Sequence, residues 1–217
     1  IHSVEGPEGL NLTLGLTVEV KKIKYKINFI EEKWTKKVLT YELSVAKRNV
    51  GAENVKHLYY MVQSRDRYEV LKRVSDINPN IYGIVFCRTR RETKEIANKL
   101  MHDGYNADAL HGDLSQAQRD EVMGRFRRRN LQLLVATDVA ARGLDVNDLT
   151  HIINFNLPDD SEIYVHRSGR TGRAGKSGIS IAIINTRETR KIKEIEKKGG
   201  IVFKKEIHLN NISFRYE

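Results

Sequence analysis

Two runs in which apolar and polar residues alternate lie near the start of the chain. Apolar side chains occupy every second position of residues 12–20 and again of residues 23–29, and two lysines, Lys21 and Lys22, separate the runs. A period of two places one face of a strand against a core, and two such runs with a short polar join are typical of a β-hairpin. We therefore predict a β-hairpin within residues 1–41, where we find no catalytic pattern.

From about residue 42 the pattern changes to short apolar runs that alternate with amphipathic segments. Strands are predicted at residues 55–62, 82–87, 107–110, 131–136, 150–155 and 178–184. The segments between them carry apolar residues at helical spacing, as Val122, Met123 and Phe126 do. Regular alternation of strand and helix predicts an α/β fold, a parallel sheet with helices on both faces. Because ligands of such sheets bind at the carboxyl ends of the strands, the residues that follow the strands are the most informative.

The end of the chain returns to short alternating runs. Residues 187–198 predict a basic helix, and two alternating runs flank Asn210 and Asn211. These runs predict a further hairpin, which we expect to form a small β-hairpin appendage together with the N-terminal one. We therefore divide the chain into a β-rich N-terminal segment of unknown role, an α/β domain and a β-rich tail, at residues 1–41, 42–198 and 199–217.

The composition narrows the class of protein. Apolar residues make up 40% of the chain and charged residues 30%, which is typical of a globular protein. No stretch approaches the ~18 uncharged apolar residues of a membrane span, and we expect no signal peptide in the first residues, which lack a basic run followed by an apolar core. The single cysteine, Cys87, excludes a disulfide scaffold and a cysteine-cluster zinc site. We expect a cytoplasmic protein with no membrane partner and, since the chain lacks an initiator methionine, a fragment of a longer protein.

The charge balance points to a polyanionic partner. The chain holds 38 Lys and Arg against 28 Asp and Glu, a formal net charge of +10. Basic chains bind nucleic acids because neutralising phosphates releases counterions, although a well-solvated basic surface gives the same balance.

The loop after the strand at 131–136 has residues suited to a nucleotide. It reads ATDVAARGLD over residues 136–145. The hydroxyl and amide of Thr137 are suited to a phosphate oxygen, Arg142 adds a cation, and Asp145 is suited to a ribose hydroxyl. The alternative is that Thr137 caps a short helix and Asp145 caps a turn.

A second segment, HRSGRTGRAG at 166–175, repeats arginine every third residue. We expect Arg167 and Arg170 on one helical face, a helix end at Gly172, and Arg173 on the loop that follows. Guanidinium groups aimed one way repel each other unless an anion lies between them, and their donor fork matches phosphate oxygens. Such arginines stabilise the charge that develops on a transferred phosphoryl group. The alternative is a solvated basic turn.

Four motifs together carry a resemblance to a known family. They are VFCRTR at 85–90, LHGD at 110–113 followed by Gln116 and Arg119, and the two segments above. In this order and spacing they resemble the C-terminal RecA-like (helicase C) domain of DEAD-box ATP-dependent RNA helicases. The resemblance covers about residues 42–198. Other superfamily 2 helicases differ most in the arginine-bearing segments, so the RNA branch is favoured over DNA unwinders.

The resemblance implies a role for each matching residue. Arg170 and Arg173 would act as arginine fingers on the ATP γ-phosphate, and Gly143 and Asp145 would contribute to ATP binding, with Asp145 near the ribose. His166 and Arg167 would couple this site to the partner domain and to RNA. The RNA sugar–phosphate backbone would be contacted by Arg88, Thr89, Gly112, Arg119 and Thr137. Such contacts carry no base information, so RNA binding would be largely independent of sequence.

Two elements of such helicases are absent from the sequence, the phosphate loop G-x-x-x-x-G-K-[ST] and the D-E-A-D motif. The resemblance places both on an N-terminal RecA-like domain of the same protein, which would hold the phosphates of ATP and the Mg²⁺ ion. We therefore expect no metal site on this chain and no ATP hydrolysis by the chain alone. Two alternatives stay open: a non-catalytic RNA-binding or protein-docking module, and DNA in place of RNA.

Overall fold

The structure, a computed structural model, describes residues 15–20, 23–28, 54–146, 148–173 and 175–206. Strands β1 (Gly15–Val20) and β2 (Ile23–Asn28) pair antiparallel, with Val20 opposite Ile23. They belong to the first of two units, Ile1–Val50, and the remaining strands and helices belong to the second unit, Gly51–Glu217. The predicted pairing of both chain ends in one appendage falls largely on residues outside the described part, and it stays a prediction.

The second unit contains a parallel sheet of seven strands. Its strands are β3 (Val55–Met61), β4 (Gly83–Phe86), β5 (Ala107–Leu110), β6 (Leu133–Ala136), β7 (His151–Asn154), β8 (Gly178–Ile184) and β9 (Phe203–Glu206). They lie in the order β5-β6-β4-β7-β8-β3-β9, and every neighbouring pair is parallel. The predicted α/β fold is confirmed.

Helices and short turns connect these strands. The helices are α1 (Arg67–Asp76), α2 (Arg90–His102), α3 (Gln116–Arg127), α4 (Asp138–Ala141), α5 (Ser161–Ser168) and α6 (Thr189–Gly199). Single 3₁₀ turns at Ser64–Asp66 and Thr186–Glu188 precede α1 and α6. Among the described residues, no helix has the length and apolar character that crossing a membrane requires.

The central strand β4 shows why helices cover both faces of the sheet. All four of its residues are buried, and they alternate between two apolar clusters. Val85 packs with the buried faces of α1 and α2, whereas Ile84 and Phe86 pack with the buried face of α3. A strand that is buried on both faces reads as a continuous apolar run, which is what the sequence has at this point.

The last strand of the sheet comes from the segment that the sequence analysis assigns to a separate tail. Phe203 is buried, and β9 pairs with β3 so that His57 lies opposite Phe203. Residues 203–206 are therefore an edge strand of the α/β sheet. The runs around Asn210 lie outside the described residues, and the proposed domain boundaries stay predictions.

Candidate nucleotide and RNA site

The first candidate loop leaves the carboxyl end of β6 and turns directly into helix α4. Thr137 caps this helix, because its Oγ1 accepts a hydrogen bond of 3.3 Å from the backbone N–H of Ala140. Thr137 therefore caps a short helix, as in the alternative interpretation of this loop, and it is 8% exposed. The capping hydroxyl only accepts in this bond, so its own proton is still available to an oxygen at the strand end.

The chain after α4 presents Gly143 and Asp145 to solvent. Gly143 has φ +71°, a left-handed conformation that glycine adopts without strain, and no atom lies within 4 Å of the position that a Cβ would take. The Asp145 side chain is exposed and makes no hydrogen bond or ion pair to any described residue. Its carboxylate is therefore free to accept hydrogen bonds from a ligand.

Helix α5 ends earlier than the sequence analysis expects. Asp160 caps its start by accepting a hydrogen bond of 2.9 Å from the N–H of Glu162, and its last residue is Ser168. The chain then turns into the sheet, where Thr171 forms a parallel bridge with Leu149 and its hydroxyl donates to the carbonyl of the same residue. The prediction that Arg167 and Arg170 share a helical face is therefore wrong.

Arg167 is an internal anchor. Its side chain is 4% exposed, and its Nε and Nη2 donate to the two carboxylate oxygens of Asp138, each at 2.7 Å. Its Nη1 donates to Asn154 Oδ1 at 2.9 Å and to the carbonyl of Asn156 at 2.8 Å. The guanidinium also lies 4.7 Å from the ring centroid of Phe86. These contacts fasten α5 to the ends of three neighbouring strands, and a direct role of Arg167 in domain coupling stays a prediction.

Arg170 lies beside the loop that carries Gly143 and Asp145. Its Nη1 donates a hydrogen bond of 3.0 Å to the carbonyl of Leu144, the residue between them. Burial lowers the pKa of its guanidinium, and the nearby positive charge of Arg173 lowers it further, while Asp138 opposes both effects. Three of the four residues that the sequence predicts to bind ATP, Gly143, Asp145 and Arg170, are thus brought together.

Arg173 lies on the exposed side of the same turn. Its Nε donates to the carbonyl of Gly169 at 2.9 Å. Within the described part of the chain, no carboxylate lies within 4 Å of the charged nitrogens of Arg170 or Arg173.

The turn can lie this close to the sheet because Gly178 has no side chain. A Cβ there would come within 2.3 Å of Thr171 Oγ1 and 2.5 Å of the next backbone nitrogen.

A cavity of about 240 Å³ opens between α4 and α5 at this edge of the sheet. His166 is exposed at its rim, and its side chain has no hydrogen-bond partner among the described residues. The cavity lining includes Phe86, Asp138, Ala141, Arg142, Asp160, Glu162, Ile163, His166, Arg167 and Arg170. Acidic and basic side chains both line this space, so it is a polar pocket. It lies next to the turn that carries Arg170 and Arg173, which we call the arginine turn.

The candidate RNA-binding residues Arg88, Thr89 and Gly112 follow β4 and β5. Arg88 is exposed, and Thr89 caps α2 by accepting a hydrogen bond of 3.1 Å from the N–H of Glu92. Gly112 is exposed, and the nearest atom to a Cβ there would be Arg90 Cδ, 3.7 Å away. Because β6 separates β5 from β4, these residues and Thr137 follow three adjacent strands, roughly 5 Å apart.

Arg119 supports this edge from helix α3. It is half-buried, and its Nη2 donates to the carbonyl of Ala140 on α4. Asp138, the partly exposed partner of the buried Arg167, was not predicted from the sequence as a site residue, although its place directly after Thr137 in the loop that follows a strand was a signal. No group of His, Cys, Asp or Glu in the described ranges could hold a metal ion. The expectation that Mg²⁺ ligands lie on another domain stays a prediction.

The comparisons with known proteins agree with this architecture. The model of the helicase conserved C-terminal domain matches residues 66–175. A probable ATP-dependent RNA helicase of Methanocaldococcus jannaschii is 46% identical over 164 residues, which are 76% of this chain and 44% of the relative. The chain thus spans less than half the length of this relative.

Solved structures give the same result. The crystal structure of a DEAD box protein from the hyperthermophile Methanococcus jannaschii has a TM-score of 0.68 and 43% sequence identity, over 79% of this chain and 48% of that one. Saccharomyces cerevisiae Dbp5 bound to RNA and ADP BeF3 has a TM-score of 0.68 and 27% identity, over 79% of this chain and 49% of that one. The chain therefore belongs to the helicase conserved C-terminal domain family, and its second unit has the RecA-like fold of the C-terminal domains of DEAD-box proteins.

Proposed function

We propose that this chain is the C-terminal half of an ATP-dependent RNA helicase that closes over ATP and RNA together with an N-terminal RecA-like domain. In this proposal Arg170 and Arg173 reach the γ-phosphate, and Asp145 accepts hydrogen bonds from the ribose. The proposal extends to the whole protein what the names of its relatives say of them, ATP-dependent RNA helicase activity.

The observation that carries the proposal is that no carboxylate of the described residues pairs with Arg170 or Arg173. Arg170 is half-buried, and its pKa is lowered by burial and by the charge of Arg173. A partly desolvated cation beside another cation is unfavourable unless an anion joins them. A terminal phosphate supplied from outside this domain meets that need, since the donor fork of arginine matches two phosphate oxygens.

Each residue of the site has a defined task in the closed state. Arg170 and Arg173 stabilise the charge that accumulates on the transferred phosphoryl group, the effect of an arginine finger. The Arg167–Asp138 pair keeps the turn in place, so that the arginines need no reorganisation when the domains close. Closure thereby completes the site and makes hydrolysis depend on both domains.

In this proposal RNA binds along the carboxyl ends of β5, β6 and β4, a path that we call the RNA track. Its sugar–phosphate backbone is contacted by Arg88, Arg119 and the loop residues Thr89, Gly112 and Thr137. The helix α2 begins at this edge, and the N-terminus of a helix attracts phosphate through its free N–H groups and its dipole. Mg²⁺ would be held by the N-terminal domain and would neutralise charge on the phosphates of ATP.

The test is complementation. The chain alone, the chain mixed with the N-terminal RecA-like domain of the Methanocaldococcus jannaschii relative, and a fusion of the two are assayed for RNA-stimulated ATP hydrolysis. We expect no turnover above background by the chain alone and restored turnover in the fusion. In the fusion, Arg170→Ala and Arg173→Ala each lower kcat by about 10³-fold or more, the usual range for an arginine finger.

The matched control removes an exposed arginine from the last turn of helix α3, which precedes β6 and therefore lies at the amino end of the strands, away from the site. Arg127→Ala removes the same charge at an exposed side chain outside the proposed ATP and RNA sites, and it should leave kcat unchanged. If the fusion is active and the two site variants match this control, the arginines are not catalytic and the alternative of a non-catalytic docking module is favoured. Competition between RNA and DNA oligonucleotides tests the remaining alternative.

A further inference from the structure

Next to the proposed RNA track, two cations share one exposed carboxylate. Arg88 Nη2 lies 3.5 Å from Asp159 Oδ1, and Lys191 Nζ donates a hydrogen bond to the same oxygen. Arg88 follows β4, whereas Lys191 lies on the first turn of α6, which follows β8. The shared oxygen therefore joins the proposed RNA track to a helix that none of the four motifs contains.

The position of Lys191 is not explained by the stability of its helix. The positive end of a helix dipole lies at the N-terminus, where acidic residues stabilise and cations destabilise by about 0.3–1 kcal/mol. The first turn of α6 holds Arg190 and Lys191 and no acidic residue. Glu188, which directly precedes the helix, uses its carboxylate on Arg67 and on the N–H of Asn185. Arg190 is paired with Glu194 of the next turn at 3.3 Å, so Lys191 is the cation that this turn offers at the end of a helix that attracts anions.

Arg88, Asp159 and Lys191 form an ion triad in which another anion can replace the carboxylate. The Asp159 side chain is 77% exposed, so its carboxylate leaves the two cations at little cost, as exposed ion pairs are worth about 0–1 kcal/mol. Lys191 is 32% exposed, which means that its ammonium is held at the edge by the packing of its stem. With one acid between two bases, the triad has a net charge of +1 and still attracts a phosphate.

We infer that Lys191 is a further phosphate-binding residue, and that an RNA phosphate replaces the Asp159 carboxylate between Lys191 and Arg88. The inference rests on the proposed function, and it extends the RNA track from β4 across the ends of β7 and β8 to helix α6. The Asp159 carboxylate then competes with the RNA phosphate for the two cations and so lowers the affinity of the chain for RNA. Contacts of this kind add affinity and salt dependence without base preference.

Fluorescence anisotropy with the full chain and a short fluorescein-labelled oligouridylate tests the inference at several concentrations of KCl. Lys191→Gln should weaken binding about threefold to tenfold and reduce the slope of log K against log salt by about 0.7, the loss of one phosphate contact to a single strand. Asp159→Asn should tighten binding at low salt, because it removes the competing charge.

Lys193→Gln is the matched control. It removes the same charge from the same helix, but its exposed side chain lies two residues on, about 200° around the helix axis. The control should bind like the unaltered chain. Equal losses in Lys191→Gln and Lys193→Gln, or no loss in Lys191→Gln, overturn the inference.

A further variant separates this inference from the proposed function. Arg88→Ala should weaken binding if RNA follows the proposed track at all. If Arg88→Ala weakens binding and Lys191→Gln does not, only the inference fails. If neither the unaltered chain nor its fusion to the N-terminal domain binds the oligonucleotide at low salt, the RNA part of the proposed function fails with it.

Discussion

Three arginines of one short segment occupy three different environments. Arg167 is buried and has its charge paired with Asp138, Arg170 is half-buried and donates to a carbonyl, and Arg173 is exposed. A buried charge persists only when it is paired, which makes Arg167 a residue of the fold. Arg170 and Arg173 have no such partner within the described residues, and they are the ones suited to an external anion.

Two buried histidines make the stability of the domain depend on pH. Each makes a hydrogen bond of 2.8 Å through Nδ1, His57 to the hydroxyl of Tyr164 and His151 to that of Thr150, while Nε2 has no partner in the described residues. Burial lowers the pKa of both rings from 6.5 to about 4. The folded state therefore holds both rings neutral, and protonation favours unfolding.

We predict that this contribution to stability is complete above pH 6.5 and is lost as the pH falls towards 4, by roughly 3 kcal/mol per histidine at most. Urea unfolding at a series of pH values measures it. His151→Gln should flatten the dependence over this interval. His102→Gln, at a histidine that is 89% exposed, should not change it, and equal pH slopes for all three proteins would contradict the prediction.

At the scale of elements, short helices hold the site together. Helix α4 has four residues, which is too short to be stable alone, and it is secured by the Thr137 cap, by Arg119 and by the Arg167–Asp138 pair. The same contacts place the loop with Gly143 beside Arg170. The order of the site thus depends on bonds between elements more than on any single helix.

We predict that Asp138→Ala lowers the free energy of unfolding by about 3 kcal/mol, because it leaves the Arg167 guanidinium buried without its carboxylate. In the double variant with Arg167→Met the loss should be smaller than the sum of the single losses, since the methionine packs on Phe86 without a charge. Urea unfolding of the four proteins gives the coupling energy. Removal of Glu95, the partner of the exposed Arg91, should cost less than about 1 kcal/mol, and equal costs would contradict the prediction.

The hydrophobic pattern predicted most elements of the sheet because each strand is short, buried and bounded by turns. The predicted strands at 107–110 and 178–184 have the bounds of β5 and β8. Strand β9 was not assigned to the sheet, because a short edge strand carries only one buried large residue, Phe203, and its neighbours are the charged Lys204 and Lys205. Local pattern does not specify which strand an edge strand joins.

The site residues could be placed at the strand ends from the sequence, whereas their contacts could not. The spacing of three suggested that Arg167 and Arg170 share a helix face, but Gly169 and the bridge of Thr171 to Leu149 end the helix between them. The burial of Arg167 depends on Asp138, which is 29 residues away in the chain. Pairings over such distances are set by the topology of the sheet, which the local pattern does not encode.

At the scale of the whole molecule, the sheet gathers every candidate residue at one edge. The loops after β4, β5, β6 and β7 and the arginine turn after α5 all lie at the carboxyl ends of parallel strands. The chain covers less than half the length of the Methanocaldococcus jannaschii relative. In the proposed account, the arginine turn binds a nucleotide that another domain holds. In this account, the proposed chemistry is complete only when the two domains meet.

The most direct measurement of this claim is single-turnover ATP hydrolysis by the RNA-bound fusion with Arg173→Ala, in the presence and absence of guanidinium ion. The account predicts that the variant loses about 10³-fold in rate and that guanidinium, at concentrations too low to unfold the protein, restores part of it, because the missing group is a cation that stabilises the phosphoryl transition state. A variant that hydrolyses ATP at the unaltered rate, or a loss that guanidinium leaves unchanged while Arg127→Ala shows the same loss, would contradict the account.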